Sequence, residues 1–185
     1  MLDFVKKYRN FLFILAFLVA VTLLLVFITP DEIVHYIGIE NAYLVSFLLA
    51  VFGGLSAVTG ISFFVSVATF ASGGANPFIL ALFGGAGIFI SDSIFFFAAR
   101  YGVGILEKKA KPIFSWLVSR MEKLPMKAVL AGVYVYIGFT PLPNDILMIA
   151  LAIWGIPYKK LAPVLLAGSI TVVFLVAYFG EIIFE

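Results

Sequence analysis

The run FLFILAFLVAVTLLLVFI, residues 11–28, contains eighteen residues without a charge, an amide or a proline. As a helix, a stretch of that length and polarity suits hydrocarbon, where each backbone N–H and C=O must be satisfied within the segment. The rest of the chain has the same character. It is 185 residues long, 64% hydrophobic and only 12% charged, with a mean hydropathy of +1.18. Soluble domains are nearer half apolar and a quarter charged. The alternation of a membrane β-strand is absent, so the expected fold class is an all-α polytopic membrane protein.

Lys6, Lys7 and Arg9 precede the first apolar run, and VFITPDE follows it with no small-x-small cleavage site. Residues 10–28 therefore read as an uncleaved signal-anchor transmembrane helix. The chain has no Cys, which removes disulfides, thiol chemistry and thiolate metal sites. Gln is absent too, a depletion that points towards a thermophilic source. The expected location is the plasma membrane of a prokaryote.

Charge placement sets the crossings. Basic residues fall in three clusters: Lys6 to Arg9, Arg100 to Lys127, and Lys159 with Lys160. The positive-inside rule puts all three in the cytoplasm. The N-terminus is then cytoplasmic, while the acidic linker TPDEIVHYIGIEN (29–41) and the tail with Glu181 and Glu185 lie outside. Residues 126–158 begin and end inside, yet their 33 residues cannot make two spans of about 20 residues each. Half of this segment as helix reaches roughly 24 Å, against about 30 Å of hydrocarbon. The segment reads as a re-entrant hairpin, with TPLPND as its tip inside the membrane. Residues 42–74 read in the same way, entered from outside, with GGLSAVTG (53–60) as the break; three full crossings between 42 and 99 stay open on length alone.

The expected architecture is one membrane domain of two inverted repeats, each a re-entrant hairpin followed by a transmembrane helix. Its parts are a transmembrane helix at 10–28, hairpin 1 at 42–74, a transmembrane helix at 77–101, a basic interfacial amphipathic helix at 105–124, hairpin 2 at 126–157 and a transmembrane helix at 160–181. Pro77 and Pro163 open similar segments, and F-x-x-A-x-x-G recurs at Phe96, Ala99, Gly102 and at Phe174, Ala177, Gly180. Inverted repeats with broken helices meeting near the midplane are a transporter architecture.

Two stretches carry a family resemblance: GGAGIFISDSIFFFAARYGVG (84–104) and FTPLPNDILMIALAIWGI (139–156). Over residues 42–180 the chain resembles the DedA proteins, also called the VTT or SNARE-associated Golgi protein domain. The first stretch is similar to the family's Gly-x-x-x-Gly-Asp-x-x-x-Tyr-x-x-Gly-Arg-x-x-Gly helix, the second to its x-Pro-x-Pro-Asp/Glu hairpin tip followed by a small-residue helix. The resemblance implies two opposed re-entrant hairpins and movement of phospholipids or polyprenyl-phosphate lipids between leaflets, in some members coupled to protons. The chain departs from the family at SAVTG, which lacks the first hairpin's acid and proline, and at YVYIGFTP, where Tyr134 and Tyr136 stand but no arginine does. Those departures favour passive scrambling or a divergent substrate.

Asp92 lies deep in the apolar helix that starts near Pro77. It reads either as a structural acid paired with Ser91 or Thr140, or as a proton- or head-group-linked acid; intramembrane acids default to function. Asn144 and Asp145 either cap the second half-helix or present its N–H groups to a phosphate. Thr140, Pro141 and Pro143 make the break, with Thr59 and Gly60 as counterparts in hairpin 1. Arg100 reads as an interfacial snorkelling residue or a phosphate contact at a cavity mouth. It stands two turns beyond Asp92 on nearly the same face. His35 is isolated and has no assigned role.

No nucleophile elbow, HExxH, P-loop or paired-carboxylate phosphatase pattern occurs, so neither an enzyme, a metal site nor a cofactor is expected. Nothing suggests nucleic-acid binding. The expected function is a lipid scramblase or flippase with a polar groove where the hairpins meet. Its partners are membrane lipids with phosphate-bearing head groups, with proton coupling and a homo-oligomer left open. The alternatives are a proton- or ion-coupled exporter of a small solute and a membrane-organising protein without transport.

Overall fold

A computed structural model describes residues 41–53, 57–109, 118–140 and 144–184. Six helices organise them: α1 (Ala42–Gly53), α2 (Ala57–Ser72), α3 (Pro77–Lys109), α4 (Met126–Phe139), α5 (Asp145–Trp154) and α6 (Tyr158–Phe184). A further helical turn covers 118–122, and no strand occurs among the described residues. The all-α expectation holds. Pro77–Gly102 of α3 and Tyr158–Gly180 of α6, 26 and 23 residues, are each long and apolar enough to cross a membrane. The segment 10–28 and His35 lie outside the described residues.

The boundaries follow local chemistry. After Ser72 the chain turns through Gly73 and Gly74, the latter at φ 92°, a left-handed conformation that favours glycine. Asn76 then caps α3: its Oδ1 accepts the N–H groups of Phe78 and Ile79 at 2.9 and 3.2 Å, with Pro77 at the first helical position. The Asn76 N–H donates to the Tyr43 hydroxyl at 3.0 Å, tying the start of α3 to the start of α1. At the other end of the chain, α5 stops at Trp154 because Gly155 takes φ 80°; the N–H of Ile156 returns to Leu151 O and that of Gly155 to Ala152 O.

Three boundaries differ from the sequence reading. The interfacial helix expected at 105–124 begins as an unbroken continuation of α3 through Lys109, because ILEKK contains good helix formers and no breaker precedes Pro112. Thr59 and Gly60, expected at the tip of hairpin 1, lie inside the first turn of α2, which resumes already at Ala57. Pro163, matched in sequence to Pro77, sits inside α6 rather than at its start, so the two prolines do not occupy equivalent positions.

α3 and α6 form the spine and run antiparallel. Gly84 meets Val173, Gly85 meets Ile170, and Ser93 meets Tyr158 further on. The two backbones touch at Gly85, where a Cβ would stand 2.7 Å from Ile170 Cα. α1 closes on the other side of α3 at Gly87, where a Cβ would lie 2.6 Å from Phe47 O. Small residues at helix crossings are the usual means of close approach in apolar surroundings.

The short helices alternate on this spine: α1 packs on α3, α2 on α6, α4 on α6 and α5 on α3. The buried core divides accordingly. One cluster joins α1 and α2 to the first half of α3 and the second half of α6, through Leu49, Phe63, Val67, Leu80 and Val173. The other joins α4 and α5 to the second half of α3 and the first half of α6, through Phe96, Val133, Ile137, Met148, Leu151 and Leu165. Buried polar residues stand between them on the spine: Ser91 and Asp92 on α3 and Ser169 on α6.

Candidate functional site

The ends of the short helices fall beside the middles of the long ones. Ala50 and Val51, near the end of α1, lie against Gly87, close to the centre of the apolar part of α3. Gly138, near the end of α4, lies against Gly168 and Thr171 at the centre of the apolar part of α6. α5 starts beside Asp92, also past the centre of that part of α3.

Asp92 is 3% exposed, and its Oδ2 accepts a hydrogen bond from Asn144 Nδ2 at 3.1 Å. Both were singled out from the sequence; the structure makes them partners. Asn144 occupies the cap position of α5 but makes no side-chain cap bond. Its amide reaches sideways to α3, so the capping reading of Asn144 gives way to a tertiary one. The reason is energetic: a carboxyl buried in an apolar helix bundle leaves a costly unpaired group unless a donor comes to it. The Asn144 Oδ1 atom is buried without a partner. Among the described residues no basic side chain is close enough to pair with Asp92. The earlier pairing suggestions, Ser91 and Thr140, are otherwise engaged: Ser91 Oγ donates to Ile88 O at 3.2 Å and Thr140 Oγ1 donates to Tyr136 O.

Asp145 begins α5, where a carboxylate complements the positive end of the helix. It is half-buried and near enough to act electrostatically on both Asp92 and Tyr136. Thr140 closes α4, its backbone N–H and its hydroxyl both turned to Tyr136 O. Thr140 and Asn144 thus flank residues 141–143; Pro141 and Pro143 lie outside the described residues. The Thr59 side chain does too, and Gly60 faces open space.

Arg100 reaches the far end of α5 rather than Asp92. Its Nη1 donates to Ile156 O at 3.0 Å, and its guanidinium stands 5.7 Å from the centre of the buried Phe96 ring. The charge therefore sits at the C-terminal end of α5, where a cation is favoured, while Asp92 sits at the N-terminal end.

Two polar pairs escaped the sequence reading. The Tyr134 hydroxyl meets Thr171 Oγ1 at 3.2 Å, tying α4 to α6. Ser93 Oγ donates to Phe89 O, so the contact at 2.6 Å with Tyr158 is donated by the tyrosine. Tyr158 also packs on Phe96 and Phe97, joining the start of α6 to α3. Neither pair has a local signature, because each partner lies tens of residues away. Among the described residues no three His, Asp or Glu side chains converge as metal ligands.

Comparison with known protein families, with curated proteins and with solved structures finds no match to this chain.

Proposed function

We propose that the chain is a polytopic membrane protein of DedA type that moves a phosphate-bearing lipid between leaflets. In this reading α1–α2 and α4–α5 are re-entrant hairpins entering from opposite sides, and α3 and α6 are the spanning helices of two inverted repeats. The alternation of the short helices on the spine supports it, as does the division of the core into two halves. The N-terminus is cytoplasmic and the C-terminus outside.

One observation carries the proposal: the start of a short helix and three polar side chains, Asp92, Asn144 and Asp145, come together near the middle of the apolar part of α3. Interrupted backbone in hydrocarbon is tolerated where it is buried in protein or lines a wet cavity. Half-helix ends at that depth are the usual place for a transported polar group. A lipid head group would cross along this polar seam while its acyl chains stay in the bilayer. The test is reconstitution into liposomes with fluorescent lipids, with and without a pH gradient. Leaflet exchange above that of protein-free liposomes supports the reading. Exchange only under a gradient favours the coupled form, and none under either condition refutes the lipid function.

A membrane-organising role without transport is favoured by a different observation, the direct Asn144–Asp92 bond, which closes the seam at its centre. Equal growth defects and normal membrane architecture in a transport-dead variant would separate the two.

A further inference from the structure

Arg100 touches neither Asp92 nor Asn144, yet its two contacts among the described residues bear on where Asn144 stands. α5 is a ten-residue helix packed on α3, and it is tethered to α3 by polar bonds at its two ends. At the start, Asn144 Nδ2 reaches Asp92; at the finish, Arg100 Nη1 holds the carbonyl of Ile156, just beyond the Gly155 turn. Asp92 and Arg100 are eight residues apart on α3, a rise of about 12 Å, close to the length of α5. The order of the contacts makes α5 parallel to this part of α3. It also sets the acid against the positive end of α5 and the cation against the negative end.

We infer that Arg100 is a positioning residue: it fixes the register of α5 along α3 and so brings Asn144 onto Asp92. Three features make the guanidinium suited to this. The Ile156 carbonyl precedes Pro157 and lies past the last turn of α5, so it has no intrahelical donor; Arg100 supplies one. Phe96, fully buried in the core of this half, holds the guanidinium from below. Finally, α5 packs chiefly on α3, whereas α4 packs chiefly on α6. The register of α5 is therefore set mainly along α3, where both polar tethers lie. The consequence for transport rests on the proposal that the Asp92–Asn144 contact lies on the lipid path.

The chain has no Cys, so pairs of labels can be placed at will. Spin labels at Phe78→Cys and Ile146→Cys, both 59% exposed, report the position of α5 along α3. Labels at Phe78→Cys and Val135→Cys, the latter 56% exposed, report α4 as the reference. Arg100→Ala is expected to shift or broaden the first distance distribution and leave the second unchanged. Arg100→Lys, which keeps a cation long enough to reach the carbonyl, is expected to restore the first. Leaflet exchange by Arg100→Ala is expected to fall at least about tenfold, the order of one lost charge-assisted hydrogen bond. An unchanged first distribution overturns the positioning role. So do equal changes in both, which report general loosening; should Arg100→Ala not fold, Arg100→Gln is read by the same criteria. A shifted α5 with normal exchange upholds the positioning role and removes the Asp92–Asn144 contact from the lipid path.

Discussion

Asn144 and Asp92, 52 residues apart in the chain, meet at 3.1 Å with the amide donating to the carboxyl. The bond joins the start of a short helix to the middle of a long apolar one, and it is the polar centre of a bundle whose two apolar cores lie to either side. Its two partners are not equivalent. Asp92→Asn keeps an acceptor for Asn144 and the shape of the site, so it should lower stability by no more than about 1 kcal/mol while abolishing any gradient-dependent exchange. Normal exchange at every pH in this variant would remove Asp92 from the mechanism.

Asn144→Leu removes the one side-chain donor that meets Asp92 among the described residues and leaves a buried carboxyl without it. A loss of about 1–3 kcal/mol is expected, measured as thermal unfolding in detergent. Asn144→Leu combined with Asp92→Leu should recover much of it, because the polar group itself is gone. If the double variant is no more stable than the single one, the bond is not what holds α5 to α3.

Spine packing makes an independent forecast. Gly85→Ala and Gly87→Ala would each push a methyl group within 3 Å of neighbouring backbone, and each should cost about 1–3 kcal/mol. Gly132→Ala on α4 meets nothing within 4 Å and should be neutral or stabilising by up to about 1 kcal/mol. Thermal scans of the three variants decide it; equal melting would mean that α3 is not in close contact with α1 and α6.

The tip itself is tested through its prolines and its acid. Pro141→Ala with Pro143→Ala permits a continuous helix from α4 into α5, which would draw Asn144 away from Asp92 and abolish lipid exchange. Asp145→Asn leaves the start of α5 intact and should reduce exchange without unfolding. Full activity in the double proline variant would show that the broken tip is not the transport site.

Topology can be read by thiol labelling on the Cys-free chain. Cysteines placed at 141 to 145 should react poorly with membrane-impermeant reagents from outside, and a cysteine near the N-terminus should be protected in intact cells. Free reaction near 141 from the outside would make that segment an ordinary loop and end the re-entrant reading.

Local chemistry was legible residue by residue. Apolar length announced α3 and α6, Pro77 marked the start of α3, and TPLPND marked a helix break between α4 and α5, because these are effects of near neighbours on one backbone. The choice of Asp92, Asn144 and Asp145 as candidates was equally local: a carboxyl or amide amid hydrocarbon is conspicuous by its solvation cost alone. What each one touches was decided only in three dimensions. Asn144 looked like a cap until α3 brought it a buried acid, and Arg100, read as a snorkelling residue or a phosphate contact, found a partner in Ile156 O that its own helix does not announce. Thr59 and Gly60 could not be separated from the break by composition, since Gly, Ser and Thr are tolerated in both a helix and a turn in such surroundings. The helix periodicity says which residues share a face, but apolar sequence packs almost equally well in many registers. The choice among those registers was made by a few contacts between distant residues: glycines that let α1, α3 and α6 touch, and polar groups that must find each other where no water replaces them.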